Sequence, residues 1–236
     1  MNTLADFERN IGIQFKDKSL LEQVFIHRSY LNEHKSFPLD HNERLEFLGD
    51  AVLELAVTEM LYNDYKEPEG ILTNWRSSLV KGESLSEEAK KIEMDEFLKT
   101  SRGEAKNVGK ARDILLANAF EALIGSIYLD QGFSVSKEFV EKYVYYKLNN
   151  ILQNGLYQDA KSKLQELSQE EFGITPNYEV VSETGPDHNK IFVSAVYLGK
   201  FKIGEGEGSS KQRSQVRAAE NALISWQKTK KELQSK

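Results

Sequence analysis

The chain has 236 residues, 39% hydrophobic and 29% charged, with no cysteine and a formal net charge of −6. That length accommodates two hydrophobic cores, the composition is that of a globular protein, and the missing cysteines exclude disulfides and thiolate metal sites. No stretch approaches the ~20 apolar residues of a membrane helix, and the first ten residues lack the basic and apolar regions of a secretory signal. The expectation is therefore no membrane partner and a reducing, cytoplasmic setting. The negative charge argues mildly against a nucleic-acid partner, because phosphates attract Lys and Arg. Its distribution matters more: from Tyr157 onward 12 Lys+Arg face 11 Asp+Glu, whereas the preceding residues carry 19 against 26. An acidic region that meets an acidic polymer needs cations between the two.

Residues 4–150 read as a succession of helices. Leu20, Leu21, Val24 and Phe25 recur at helical spacing, as do Leu45, Leu48, Val52 and Leu55. Further helical runs are predicted over about 72–92, 111–130 and 134–152, with Gly70, Gly103 and Gly109 in the turns between runs. Asn154-Gly155-Leu156-Tyr157-Gln158 breaks the pattern. The expected division is a first domain over 1–153, a linker over 154–158, a second domain over 159–230 and a frayed tail over 231–236. In the second domain Asp159 is placed to cap a helix carrying Leu164, Leu167 and Phe172. Strand-like runs follow at 178–181, 191–197 and 200–206, and a last helix from about Ser210 to Lys230 carries Val216, Ala219, Leu223 and Trp226. The predicted fold is an all-α domain followed by a small α+β module of order α-β-β-β-α, with its helices on one face of an antiparallel sheet.

The densest chemistry lies in Asn42-Glu43-Arg44-Leu45-Glu46-Phe47-Leu48-Gly49-Asp50. In a helix Glu43, Glu46 and Asp50 stand at i, i+3 and i+7 and share one face, while Leu45, Leu48 and Val52 take another. Like charges at that spacing cost a few tenths of a kcal/mol per pair, and a hard divalent cation with oxygen ligands would remove the cost. A solvated acidic face balanced by neighbouring Lys and Arg fits the spacing equally well, so spacing alone does not decide. A second acidic element, Glu121, lies within the apolar run Ala117–Gly125, where a lone charge is costly. It calls for a basic partner or a metal. None of His27, His34, His41 and His188 belongs to a recognisable catalytic triad.

The nine residues Asn42–Asp50 closely resemble the signature of the ribonuclease III family. Phe120-Glu121-Ala122-Leu123-Ile124-Gly125 is similar to that family's second acidic motif, and His27-Arg28-Ser29 to its early helix. The resemblance implies a homodimer that cuts double-stranded RNA with Mg²⁺, or Mn²⁺ in its place, leaving 5′-phosphate and 3′-hydroxyl ends with short 3′ overhangs. Glu46, Asp50, Asn118 and Glu121 would be the metal ligands, and Glu43 would line the RNA valley near the dimer contact. Glu69 and Glu104 match accessory acidic positions. Ribosomal RNA precursors and structured messenger or small RNAs are the implied substrates. Asn118 is a departure, because the family usually has Asp there. An amide oxygen coordinates a hard cation without supplying charge, so a weakened or non-cutting RNA-holding protein is the alternative reading.

Gly185-Pro186-Asp187-His188 and Gly204-Glu205-Gly206-Glu207-Gly208-Ser209-Ser210-Lys211, with Ala218-Ala219 further on, resemble a double-stranded-RNA-binding domain. Such domains read the shape of A-form duplexes across successive minor grooves. The resemblance implies that Gln165 and Glu166 face one minor groove and that His188 enters the next. Ser210, Lys211 and Arg213, at the start of the last helix, would meet phosphates.

Overall fold

The computed structural model describes residues 3–153, 160–186 and 190–234, and the chain divides into two compact units, Met1–Tyr157 and Gln158–Lys236. The first unit is helical: α1 (Leu4–Ile11), α2 (Lys18–Val24), α3 (Arg28–Glu33), α4 (Glu43–Asp64), α5 (Glu69–Val80), α6 (Gly82–Lys91), α7 (Lys110–Gln131), α8 (Phe133–Tyr143) and α9 (Leu148–Gln153). Single 3-10 turns fall at Met94–Glu96, Glu104–Lys106 and Tyr145–Lys147. Local signals explain several boundaries. A capping box between Thr3 and Asp6 starts α1, and Gly12, at φ 78°, ends it in the left-handed region that glycine tolerates. Two predicted runs are each divided. Lys81, with extended backbone (φ −61°, ψ 140°), separates α5 from α6, and a 3-10 turn separates α8 from α9. Gly70 lies inside α5 rather than in a turn.

The two longest helices, α4 and α7, form the centre and pack against each other more extensively than any other pair of elements. Leu53, Ala56, Val57 and Leu61 of α4 are buried in one core with Leu116, Phe120, Leu123, Ile124 and Ile127 of α7. Two glycines let the helices meet backbone to backbone. A Cβ on Gly49 would lie 2.6 Å from the carbonyl carbon of Glu121, and one on Gly125 would lie 3.0 Å from the amide nitrogen of Gly49. Glycine in a helix costs about 1 kcal/mol relative to alanine, and here the close approach offsets that cost. The expected Leu45–Leu48–Val52–Leu55 core face is corrected at one position. Leu45 and Val52 are buried, but Leu55 is 58% exposed. With Phe47 and Tyr62 it forms an apolar stripe on the solvent side of α4.

The second unit contains α10 (Ala160–Phe172), β1 (Asn177–Thr184), β2 (Ile191–Leu198), β3 (Phe201–Gly208), α11 (Lys211–Ile224) and α12 (Trp226–Gln234). The sheet is antiparallel in the order β1-β2-β3, with a register shift between Val180 and Ser182 on β1. Leu164, Val196, Leu198, Ile203, Ala218, Ala219, Ala222 and Trp226 form its core. The glycine-rich segment is strand to Gly208, two residues beyond the predicted end. Cβ atoms on Gly204 and Gly206 would lie 2.8 Å from Ala222 Cβ and 2.7 Å from Arg217 Cβ, so β3 rests directly on the small-residue face of α11. The predicted single last helix is two. Ser225 Oγ donates to the Asn221 and Ala222 carbonyls (3.1 and 3.3 Å), the kind of local bond that competes with helix continuation, and α12 begins at Trp226. The expected frayed tail is also helical as far as Gln234, and Lys230 Nζ is 2.6 Å from Glu171 Oε1. Asp159 and the linker over 154–158 lie outside the described residues. No described helix is long and apolar enough to cross a membrane.

Candidate active site and nucleic-acid face

The start of α4 is fixed before its carboxylates are reached. Asn42 is buried, its amide nitrogen donates to the Ile26 carbonyl (2.9 Å), and its Nδ2 donates to the Val24 carbonyl (2.9 Å). Glu43 and Glu46 then occupy the first turn, where the helix dipole favours negative charge. Glu46 and Asp50 flank Gly49, and Glu121 stands one turn before Gly125, so the glycine-mediated crossing brings α4's carboxylates beside that of α7.

The electrostatics register this proximity. Burial first, then the charges of Asp50 and Glu46, push the Glu121 carboxyl up to about 8. Burial, Glu43 and Asp50 push Glu46 up as well. Among the described residues no Lys, Arg or His lies within ion-pair distance of Glu46, Asp50 or Glu121, which removes the basic partner as an explanation of Glu121. Asn118 is half-buried one turn before Glu121 on α7, and its side chain makes no hydrogen bond among the described residues.

The donor set of three carboxylates and one carboxamide is hard oxygen throughout, the kind that Mg²⁺, Mn²⁺ and Ca²⁺ prefer. A dication is also the charge that would hold all three carboxylates ionised. The residues therefore fit a divalent metal. As placed, no three His, Cys, Asp or Glu side chains among the described residues close into a ready cage. Asp50 is exposed, whereas Glu46 and Glu121 are partly buried.

Glu43 has different neighbours. Its carboxylate lies 3.6 Å from Arg28 Nη1 and 3.8 Å from His41 Nδ1. Glu104 joins this second polar group. It accepts from Asn107, and together with Glu43 it faces His27, whose imidazole burial nonetheless holds below its ordinary pKa. His27 Nδ1 accepts from the Ser29 backbone N–H (3.3 Å), which puts the ring proton on Nε2, and Ser29 Oγ accepts from Ser101 N–H (2.9 Å). Glu69 is in neither group. It accepts from Thr73 Oγ1 (3.0 Å) at the mouth of a 560 Å³ groove lined by Tyr62, Tyr65 and Arg76. Sequence reasoning placed His27 in a motif of the early helix but gave neither it nor His41 a role in the site, and it overlooked Gly49 and Gly125. Glycine inside an apolar helix was the available signal.

In the second unit Gln165 and Glu166 are exposed on α10, and Ser210 caps α11 by accepting from the Arg213 amide (3.2 Å). Lys211 extends over the Phe192 ring, 6.0 Å from its centroid. Arg213, about 200° around the helix from Lys211, turns back to Ser209 Oγ (2.9 Å) and lines a groove with Glu207, Arg217 and Glu220. His188 lies outside the described residues.

Comparisons agree with this layout. A family model described as Ribonuclease-III-like matches residues 17–148, and one described as Double-stranded RNA binding motif matches residues 160–225. Ribonuclease 3 of Oceanobacillus iheyensis is 43% identical over 226 residues, 94% of this chain and 97% of that one. Ribonuclease 3 of Streptococcus pneumoniae (strain Hungary19A-6) is 42% identical over 217 residues, 92% of this chain and 93% of that one. A solved nuclease domain of ribonuclease III from Campylobacter jejuni, reported with flexibility in a region of dimer formation, has a TM-score of 0.54 and 36% identity. It covers 60% of this chain and 98% of its own.

Proposed function

This chain belongs to the ribonuclease III family, and from that premise we propose that it is an endoribonuclease hydrolysing phosphodiester bonds in double-stranded RNA. The observation that carries the reading is the convergence of Glu46 and Asp50 on α4 with Glu121 on α7, with no cationic side chain within ion-pair distance of them among the described residues. Glu46, Asp50, Asn118 and Glu121 would hold Mg²⁺, with Mn²⁺ as a substitute. When bound, the ion supplies a water activated as nucleophile and stabilises charge on the leaving 3′-oxygen. With the ion bound the carboxylates would hold three negative charges on two packed helices, Asn118 would add an uncharged oxygen, and the glycine crossing sets their spacing. Glu43, steadied by Arg28 and His41, sits at the edge of this group. Glu69 and Glu104 serve as accessory acids, Glu104 from beside His27. The products are 5′-phosphate and 3′-hydroxyl ends with short 3′ overhangs.

The nuclease domain spans 1–153, the linker 154–158, the duplex-binding domain 159–230 and a tail 231–236. Gln165, Glu166, His188, Ser210, Lys211 and Arg213 meet RNA from the second domain. The enzyme works as a homodimer in the cytoplasm on ribosomal RNA precursors and structured messenger or small RNAs. The stripe of Phe47 (82% exposed), Leu55 and Tyr62 on α4 is the apolar surface that supports self-association. Light scattering that gives a single 27.0 kDa particle would overturn the dimer. Complete carboxylates at positions 46, 50 and 121 and 42–43% identity to ribonucleases 3 favour a cutting enzyme over an RNA-holding one. The test is cleavage of a long RNA duplex in Mg²⁺ by the parent and by Glu121→Gln. Cutting by the parent alone supports the reading, and equal cutting by both refutes it.

A further inference from the structure

Two acidic segments of the nuclease unit rest on one short base. Residues 24–27 take the start of α4 on one side, where the Val24 and Ile26 carbonyls accept from Asn42, and so place Glu43, Glu46 and Asp50. On the other side the Lys99 amide donates to the Phe25 carbonyl (2.7 Å) and the His27 amide to the Lys99 carbonyl (3.0 Å). Lys99 opens the stretch that leads to Glu104. Beyond it the Ser101 amide donates to Ser29 Oγ on α3 (2.9 Å), and the Arg102 amide shares the exposed Glu33 carboxylate at 3.3 Å. Ser101 passes this constraint on. Its Oγ accepts from the Glu104 amide (3.2 Å), and its carbonyl accepts from the Ala105 amide (2.9 Å).

Half-buried Ser29 also meets His27, with Oγ 2.8 Å from Nδ1. A hydroxyl has one proton and two lone pairs. The Ser29 oxygen takes the Ser101 proton, and Nδ1 already accepts from the Ser29 amide, so the hydroxyl proton goes to Nδ1 as well. The ring proton stays on Nε2, in an imidazole that Glu104 and Glu43 both face. Two carboxylates brought to one ring repel each other. The segment carrying Glu104 therefore needs a tether that adds no negative charge, and a serine hydroxyl supplies one.

We propose that Ser29 is a positioning residue for cleavage: by accepting the Ser101 amide while donating to His27 Nδ1, it holds Glu104 beside Glu43 at the edge of the acidic group. This rests on the nuclease reading of the site. Ser29 touches neither substrate nor metal and acts through Glu104, so its removal should matter only while that carboxylate is present.

The test is a double-variant cycle on the full chain, read by single-turnover cleavage of an RNA duplex in Mg²⁺. Ser29→Ala is expected to slow cutting by about three- to tenfold, the worth of one hydrogen bond. In a Glu104→Ala background the same change should cost less than about twofold. Ser101→Ala breaks the next link and should repeat both results. The second readout is the nitrogen spectrum of metal-free, histidine-labelled protein at about pH 8, where a neutral imidazole is expected. His27 is identified there by its loss in His27→Gln. Its Nδ1 resonance should move downfield in Ser29→Ala, which removes a proton donor, and stay in place in Ser101→Ala, which does not. Equal losses with and without Glu104, or an Nδ1 resonance that Ser29→Ala leaves unmoved, overturn the proposal while a cutting parent keeps the nuclease reading intact. A parent that does not cut brings both down.

Discussion

Replacing Gly49 with alanine tests the geometry of the active site without touching any of its functional groups. In an exposed helix the change would stabilise by about 1 kcal/mol. Here the new methyl would stand 2.6 Å from the carbonyl carbon of Glu121 and 2.9 Å from the Gly125 amide nitrogen, both under the 3.0 Å that Cβ contacts essentially never breach. The obstacle is backbone, which cannot swing aside like a side chain, so α4 and α7 must part by roughly 1 Å at the crossing. Overpacking of a well-filled core costs about 1–3 kcal/mol. A net destabilisation of about 1–2 kcal/mol follows, or roughly 2–8 °C in the melting temperature of a unit this size. Activity should suffer more than stability, since Glu46 and Asp50 move relative to Glu121 and a misplacement of 1 Å can cost about 100-fold. Gly125→Ala strains the same crossing, so the double variant should cost less than the sum of the two single ones. The assay pairs thermal unfolding with single-turnover cleavage of an RNA duplex. A folded Gly49→Ala enzyme cutting within twofold of the parent's rate would refute the argument that this crossing sets the site.

Three further outcomes follow from the electrostatics. The Glu121 carboxyl is pushed up to about 8 in the folded protein from its ordinary 4.5, so between those values the folded chain keeps a proton that the unfolded chain has released. Metal-free stability is then full below pH 4.5 and is lost as pH rises through about 8. Glu121→Gln should lack that decline, and parallel melting curves for parent and variant in EDTA from pH 5 to 9 would contradict it. Asn118→Asp adds a fourth carboxylate one turn before Glu121 and should tighten Mg²⁺ binding while lowering metal-free stability. An unchanged calorimetric midpoint would count against Asn118 as a ligand. Glu88, 2% exposed, is pushed up by burial but held below its ordinary range by Lys147, Lys91 and Tyr146. Lys147→Met removes one of these partners at 2.7 Å and should cost about 3 kcal/mol in urea unfolding. A loss under about 1 kcal/mol would show that Lys91 and Tyr146 suffice.

Much of the architecture was legible because periodicity and composition report burial. The apolar run around Glu121 and the strand-like run over 191–197 both correspond to the elements expected of them. Leu55 misled because a helix pattern says which residues share a face, not whether that face meets its own core or remains exposed. The division after Ile224 was hidden because Ser225 acts through a hydroxyl bond to the preceding turn, which hydropathy does not register. The acidic group was half legible. Glu46 and Asp50 announce themselves by spacing, but their meeting with Glu121 is a tertiary fact created by two glycines 76 residues apart. The His27, Glu43 and Glu104 group joins three separate segments, and no local pattern could assemble it.

The glycine ladder of β3 has a consequence for how the strand finds its alignment. Strand register is ordinarily chosen by greasy side chains seeking the inner face, and β3 has almost none to offer. Its inner positions 204, 206 and 208 are bare backbone, while Glu205 and Glu207 alternate with them. A slip of one residue would drive those two carboxylates into a space that cannot admit even a methyl group. Odd misalignments are therefore excluded by volume rather than by lost attraction. Even slips return glycine to most inner seats and are opposed chiefly by displacement of Ile203 from the core. The strand tells right from wrong by what cannot enter, so a kinetic trap in the folding of this module should be a two-residue slip.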